Sequence, residues 1–171
     1  MPQVTPPPTG PDAGPDLPDA CRRFARAAAA AGLPVAIVVH AQLTRTAQEA
    51  AEACGCGVGQ IVKSLVFRTR GAGRPVLLLV SGANRVDENR VAALLGEPVE
   101  RPDAAWVREV AGFAIGGIPP LGHARPLETW MDEGLFSHST VFAAAGTGNA
   151  VFPVAPLDLL AAAKARRARL A

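Results

Sequence analysis

Gln60-Ile-Val-Lys-Ser-Leu-Val-Phe-Arg-Thr69, followed by Gly71-Ala-Gly73 and Val76-Leu-Leu-Leu-Val80, decides the fold. The first run alternates, with Ile61, Lys63, Leu65 and Phe67 on one side and Val62, Ser64, Val66 and Arg68 on the other, which is the period of a strand. The second run is continuously apolar, as a central strand is. The glycine turn between them makes the pair an antiparallel hairpin. One residue is out of place: strand interiors disfavour lysine, yet Lys63 sits among Ile61, Val62, Leu65 and Val66.

Working upstream, Thr46-Ala-Gln-Glu49 has the form of a capping box and opens a small-residue helix that Gly55 ends. Before it, a helix capped by Asp16 is expected through Phe24 to Ala31, stopped at Gly32 to Pro34, with Val35 to Val39 as a strand. Downstream, Asp87 caps a helix to Leu95 with Gly96 at its end, and Asp103 caps another through Trp106 and Val110 to Gly112. Shorter strand segments fall at Leu127 to Met131, Thr140 to Ala143 and Ala150 to Val154, before a closing helix from Pro156 to about Ala168. The expectation is one α+β domain over residues 17–171, a mixed β-sheet with flanking helices. Residues 1–16 carry six prolines, two glycines and no apolar periodicity, and read as a disordered proline-rich tail.

Composition narrows the function. With 171 residues there is room for one core and a tail. A net charge of +2 excludes a generally basic nucleic-acid coat, although not a local patch, and 5% aromatics without tyrosine argue against a base-stacking platform. Cys21, Cys54 and Cys56 cannot all pair, which suits a reducing cytoplasm. His40, His123 and His138 are scattered, so no metal site is expected, and a metal hydrolase built on His123, His138 and Asp132 is discounted. No apolar run is long enough to span a membrane, and no secretory signal is visible.

The chemistry-bearing candidates are few. Lys63 is either a snorkelling edge lysine or a cation that holds a phosphate or a carbonyl oxygen. The loop Gly116-Gly-Ile-Pro-Pro-Leu-Gly-His123 mixes free and fixed φ, and is either a tight connection or a loop that aims its amides at an oxyanion and its carbonyls at a water. His123 reads as a general base or a structural group, and Asp132 as a site carboxylate or a turn residue. No nucleophile elbow, Walker loop or dinucleotide fingerprint occurs. Lys164, Arg166, Arg167 and Arg169 read as a solvated helix end that could brush RNA.

Thr46 to Ala53, Gly59-Gln-Ile-Val-Lys-Ser-Leu-Val-Phe67, Gly112-Phe113, the Gly116 to His123 loop, Met131-Asp-Glu-Gly-Leu135 and Ala145-Gly146 together resemble the YbaK and prolyl-tRNA-synthetase-associated editing domains, over about three quarters of the chain. The resemblance implies a cytoplasmic trans-editing deacylase that needs no cofactor or metal. Its substrate would be the ester of a mischarged small amino acid on a tRNA 3′ acceptor end, with proline tRNA as the carrier. An aminoacyl-tRNA synthetase would be a second partner.

In that reading Lys63 holds the RNA end, and Gly116 and Gly117 orient water and the scissile carbonyl. His123 stands with them, and Ile118, Pro119, Gly122, Asp132, Ala144 and Gly146 bind substrate. In the cysteinyl-tRNA deacylase branch a serine precedes the Ala-Gly pair and a methionine follows the loop glycine. Here Ala144 and His123 stand there, which makes alanine, serine or another small residue such as 2-aminobutyrate at least as good a candidate as cysteine. The alternative is a catalytically silent module that binds a tRNA end or an aminoacyl-nucleotide as a synthetase accessory.

Overall fold

The chain runs α1 (Asp19–Ala30), β1 (Val38–Val39), α2 (Ala47–Cys54), β2 (Val62–Thr69), β3 (Pro75–Ser81), α3 (Glu88–Leu95), β4 (Val99–Glu100), α4 (Ala104–Ala111), β5 (Glu128–Asp132), β6 (Val141–Ala144), β7 (Ala150–Val154), α5 (Pro156–Ala162) and β8 (Arg166–Ala168), with 3₁₀ turns at Val58–Gln60 and Glu133–Ser137. This computed structural model describes residues 16–171; the expected disordered tail lies almost wholly outside the described residues.

The central hairpin forms as expected, and its register sets Lys63 opposite Val80 and Phe67 opposite Val76. Around it a five-stranded sheet has the order β4-β2-β3-β5-β8, antiparallel at β2 and parallel where β5 joins β3 and β8 joins β5. A three-stranded antiparallel sheet, β1-β7-β6, abuts it through one parallel bridge, Ile61 to Phe142. Strand alternation splits the interior into two cores. Val62, Val66, Leu77, Leu79 and Met131 face the larger one, with Phe24 of α1 and Val107 and Val110 of α4. Phe67, Val76, Leu78 and Val80 face the smaller one, closed by Val91 of α3 and Leu170.

The caps follow their sequence signals. Thr46, Asp87 and Asp103 accept from the amides of Glu49, Arg90 and Trp106 at 3.1, 3.1 and 2.8 Å, and Gly55, Gly96 and Gly112 end those helices in the left-handed conformation. The Glu49 carboxylate accepts from Arg45 N–H, one residue before the cap, so the capping box is displaced rather than reciprocal.

Most boundaries fall within a residue or two of expectation, and three differences are instructive. Pro18, not Asp16, precedes α1, and no side chain caps it. Only Val38–Val39 of the Val35 to Val39 run pairs, opposite Val151 and Ala150 of β7. The closing helix ends at Ala162 rather than about Ala168, where Ala165 N–H turns back to Leu160 O and Lys164 N–H to Ala161 O. Arg166–Ala168 then becomes a parallel edge strand on β5, because ladder partners and burial of Leu170 outweigh the helix propensity of an Ala/Arg-rich segment.

Candidate functional site

Lys63 leaves β2 on the smaller-core side, since its ladder partner Val80 belongs to that core. Its Nζ donates to the carbonyl of Asn84, in the loop after β3. The Asn84 side chain in turn donates to Asp132 Oδ2 at 2.8 Å. Asp132 is buried at the end of β5 and also accepts, at 3.4 Å each, from the amides of Ser81 and Leu170. The carboxylate is thus held in place by protein donors on both oxygens. Desolvation lowers the Lys63 pKa from the usual lysine range; Asp132 opposes that, whereas Arg101 and Arg85 add to it. The result is a half-buried cation whose counter-charge, Asp132, is reached through Asn84.

The glycine loop packs on the other face. Ile118 belongs to the larger core with Val62 and Val66, so the Lys63 head and the Gly116–Gly117 segment lie on opposite sides of β2. Gly116 is exposed with φ +95°, and Gly117 is buried. A Cβ on Gly117 would stand 2.7 Å from Thr147 Cα and 2.8 Å from Gly146 O, so the backbones of the loop and of the β6–β7 turn touch directly. Gly146, with φ +118°, meets α1 in the same manner: its Cβ would lie 2.7 Å from Ala20 C. Thr147 Oγ1 donates to Asn149 Oδ1 at 2.9 Å and lies 3.7 Å from the buried Cys21 Sγ. At the seam between the sheets, Lys63 and Ala144 each stand two residues beyond the Ile61–Phe142 bridge on strands that run the same way.

The remaining sequence candidates have structural surroundings. Ile118 and Pro119 are buried, and Gly122, at φ +84°, would place a Cβ 2.8 Å from Ala27 Cβ of α1. His123 Nε2 donates to Pro119 O at 2.7 Å, closing the loop upon itself, and burial lowers its pKa despite that bond. Asn84 was not singled out in the sequence, because it acts partly through a main-chain carbonyl and its Gly-Ala-Asn context reads only as a turn. Ser81 likewise acts on the main chain, its hydroxyl donating to Gly59 O at 2.8 Å. Burial and the neighbouring Cys56 push the Cys54 thiol up to about 11. Among the described residues, no group of three or more His, Cys, Asp or Glu is placed to hold a metal ion, and no helix is long and apolar enough to cross a membrane.

Residues 41–162 match the profile of the aminoacyl-tRNA editing domain. An uncharacterized protein, YwhH of Bacillus subtilis, is 32% identical over 114 residues, 67% of this chain and 72% of that protein. EbsC of Enterococcus faecalis, described as a candidate Cys-tRNA(Pro)/Cys-tRNA(Cys) deacylase, is 27% identical over 116 residues, 67% of this chain and 70% of its own. A crystal structure described as a candidate trans-editing enzyme for prolyl tRNA synthetase superposes with a TM-score of 0.86 at 44% identity, covering 91% of this chain and 98% of that one. With the matched span holding Lys63, the glycine loop and the β6–β7 turn that receives it, the chain belongs to the aminoacyl-tRNA editing domain family and is an aminoacyl-tRNA hydrolase.

Proposed function

We propose that the protein removes small amino acids from mischarged proline tRNA, with the substrate laid across the seam between β2 and β6. Lys63 takes a phosphate or ribose oxygen of the terminal nucleotide, and the glycine loop takes the ester. The observation that carries this reading is the side-chain-free contact of Gly117 with Gly146 and Thr147: it fixes the loop backbone against a rigid hairpin, as amides that meet a developing oxyanion must be fixed. Gly117 N–H is already given to Ala114 O, so the amides for the oxyanion are those of Gly116 and Ile118. Water attacks the ester carbon, the carbonyl oxygen gains charge toward those amides, and the 2′- or 3′-hydroxyl of the ribose leaves. Asp132 works at one remove, through Asn84 and Lys63, and His123 braces the loop without touching substrate.

Ala144 lies three residues before Thr147, whose backbone meets the loop, and its methyl side chain offers no hydrogen bond. A pocket lined by it discriminates among alanine, 2-aminobutyrate, serine and cysteine by at most one to two orders of magnitude. Alanyl- and 2-aminobutyryl-tRNA are expected to be hydrolysed faster than cysteinyl-tRNA, and prolyl-tRNA to be spared. Initial rates on these substrates, all on one proline tRNA body, test the reading. Preference for the cysteinyl ester would reverse the specificity, and attack on prolyl-tRNA would remove the editing role.

A further inference from the structure

A groove of about 650 Å³ lies beside the end of the glycine loop, lined by Pro120 to Thr129 on one side and by Ala163, Lys164 and Arg166 on the other. Three of its side chains, Arg125, Lys164 and Arg166, are cationic, and its one carboxylate, Glu128, is bridged to Arg74 at 2.6 Å. Burial favours neutral His123 there. Arg125 shares its charge with exposed Glu109, and Arg166 lies over the Trp130 ring with its guanidinium carbon 5.5 Å from the centroid.

Lys164 stands at an unusual backbone position. The Ala165 to Leu160 and Lys164 to Ala161 hydrogen bonds form a Schellman closure of α5, whose left-handed residue is most often glycine. Here it is lysine at φ +51°, the one non-glycine residue with positive φ among the described residues. Glycine would relieve the backbone strain there, so the ammonium that faces the groove is what distinguishes the two residues.

We propose that this groove binds the phosphodiester backbone of the tRNA, a few nucleotides from the ester. The proposal rests on the editing reading. Pro120 is three residues from Gly117, so the groove begins within about 11 Å of the loop segment assigned to the ester. An RNA strand with its 3′ end at that segment has its next phosphates within reach of Arg125, Lys164 and Arg166. Contacts of this kind carry affinity and salt dependence without reading sequence.

The test compares wild type with Lys164→Gly and Arg166→Gln, using uncharged tRNA for binding, and alanyl-tRNA and alanyl-adenosine as long and short esters. Each substitution is expected to weaken tRNA binding about threefold to tenfold and to lower the slope of log affinity against log salt by about 0.7–0.9. The ratio of kcat/KM on alanyl-tRNA to that on alanyl-adenosine should fall by the same factor. Lys164→Gly should meanwhile keep or raise the melting temperature, which a merely structural lysine would not do. Unchanged tRNA affinity and salt slope in both variants would overturn the groove while leaving the editing reading intact, provided wild type deacylates. Equal losses on the long and short esters would also overturn it, by placing these residues at the ester itself. A wild type inactive on both esters would instead remove the editing reading on which the proposal stands. If both variants bound tRNA normally but lost an acidic protein partner, the groove would be a protein interface and the proposal wrong.

Discussion

The two halves of the proposed site are built on opposite physics. Around Lys63 everything depends on side chains and charge: an ammonium on a carbonyl, an amide on a carboxylate, a carboxylate filled by backbone donors. Around Gly117 everything depends on their absence, because the loop and the β6–β7 turn approach to distances that leave no room for a methyl group. A charge network tolerates graded change, since a conservative replacement keeps part of the interaction. A backbone contact does not, since the smallest replacement already collides.

The sharpest way to break that contrast is Gly117→Val. Its added carbons would meet main-chain atoms rather than a flexible tip, so the loop must shift, and deacylation should fall more than about a hundredfold. Near-normal rates on alanyl-tRNA would show that the loop backbone has no part in the chemistry. Lys63→Ala should cost about tenfold to a hundredfold, mostly in KM, and Lys63→Arg should recover part of it. Stability should respond in the other direction. The folded pKa of Lys63 is lowered, so the burden of keeping it charged is fully present below that pKa and is relieved as pH rises through it. Lys63→Met should therefore keep or raise the melting temperature at pH 7, and a fall would mean the ammonium is structural.

Asp132→Asn sharpens the comparison within the charged half. The carboxylate raises the Lys63 pKa against desolvation, so removing its charge should move the alkaline loss of tRNA binding to lower pH, with a few-fold loss of affinity at pH 8. An unmoved alkaline limb in a binding titration would disconnect Asp132 from Lys63. The smallest effect belongs to His123→Ala, which removes one hydrogen bond to Pro119 and should cost about 1 kcal/mol and no more than about twofold in rate. Because the His123 pKa is lowered in the folded protein, its contribution is present above the ordinary value near 6.5 and declines as pH falls below it. Melting temperatures at pH 7.5 and 5.5 should thus converge between variant and wild type at the lower pH.

Local signals were readable and tertiary ones were not. Thr46, Asp87 and Asp103 announce their helices because a cap is decided within four residues, and the β2–β3 pairing follows from an alternating run and an apolar run joined by the turn at Gly71 to Gly73. Lys63 stood out for a local reason as well, as a charge in an apolar run. What β5 does to Arg166–Ala168 is invisible in that segment, whose composition favours a helix until an unpaired sheet edge is beside it. The role of Asn84 was hidden likewise, since a main-chain carbonyl leaves no mark in a sequence. Gly117 and Gly146 were legible as glycines, but not as each other's partner, because that contact exists only after the loop and the hairpin have docked.

The single bridge at Ile61 and Phe142 has a kinetic consequence. Each hairpin beside it closes over a short span of chain, whereas the bridge joins segments far apart and rewards that closure with little ladder of its own. The seam should be the last join made on the way to the native state and the first to part in sub-global opening, with its amides exchanging with solvent well before those of β3. The surface on which an ester would be laid would then assemble after both sheets, and loosen before either of them unravels.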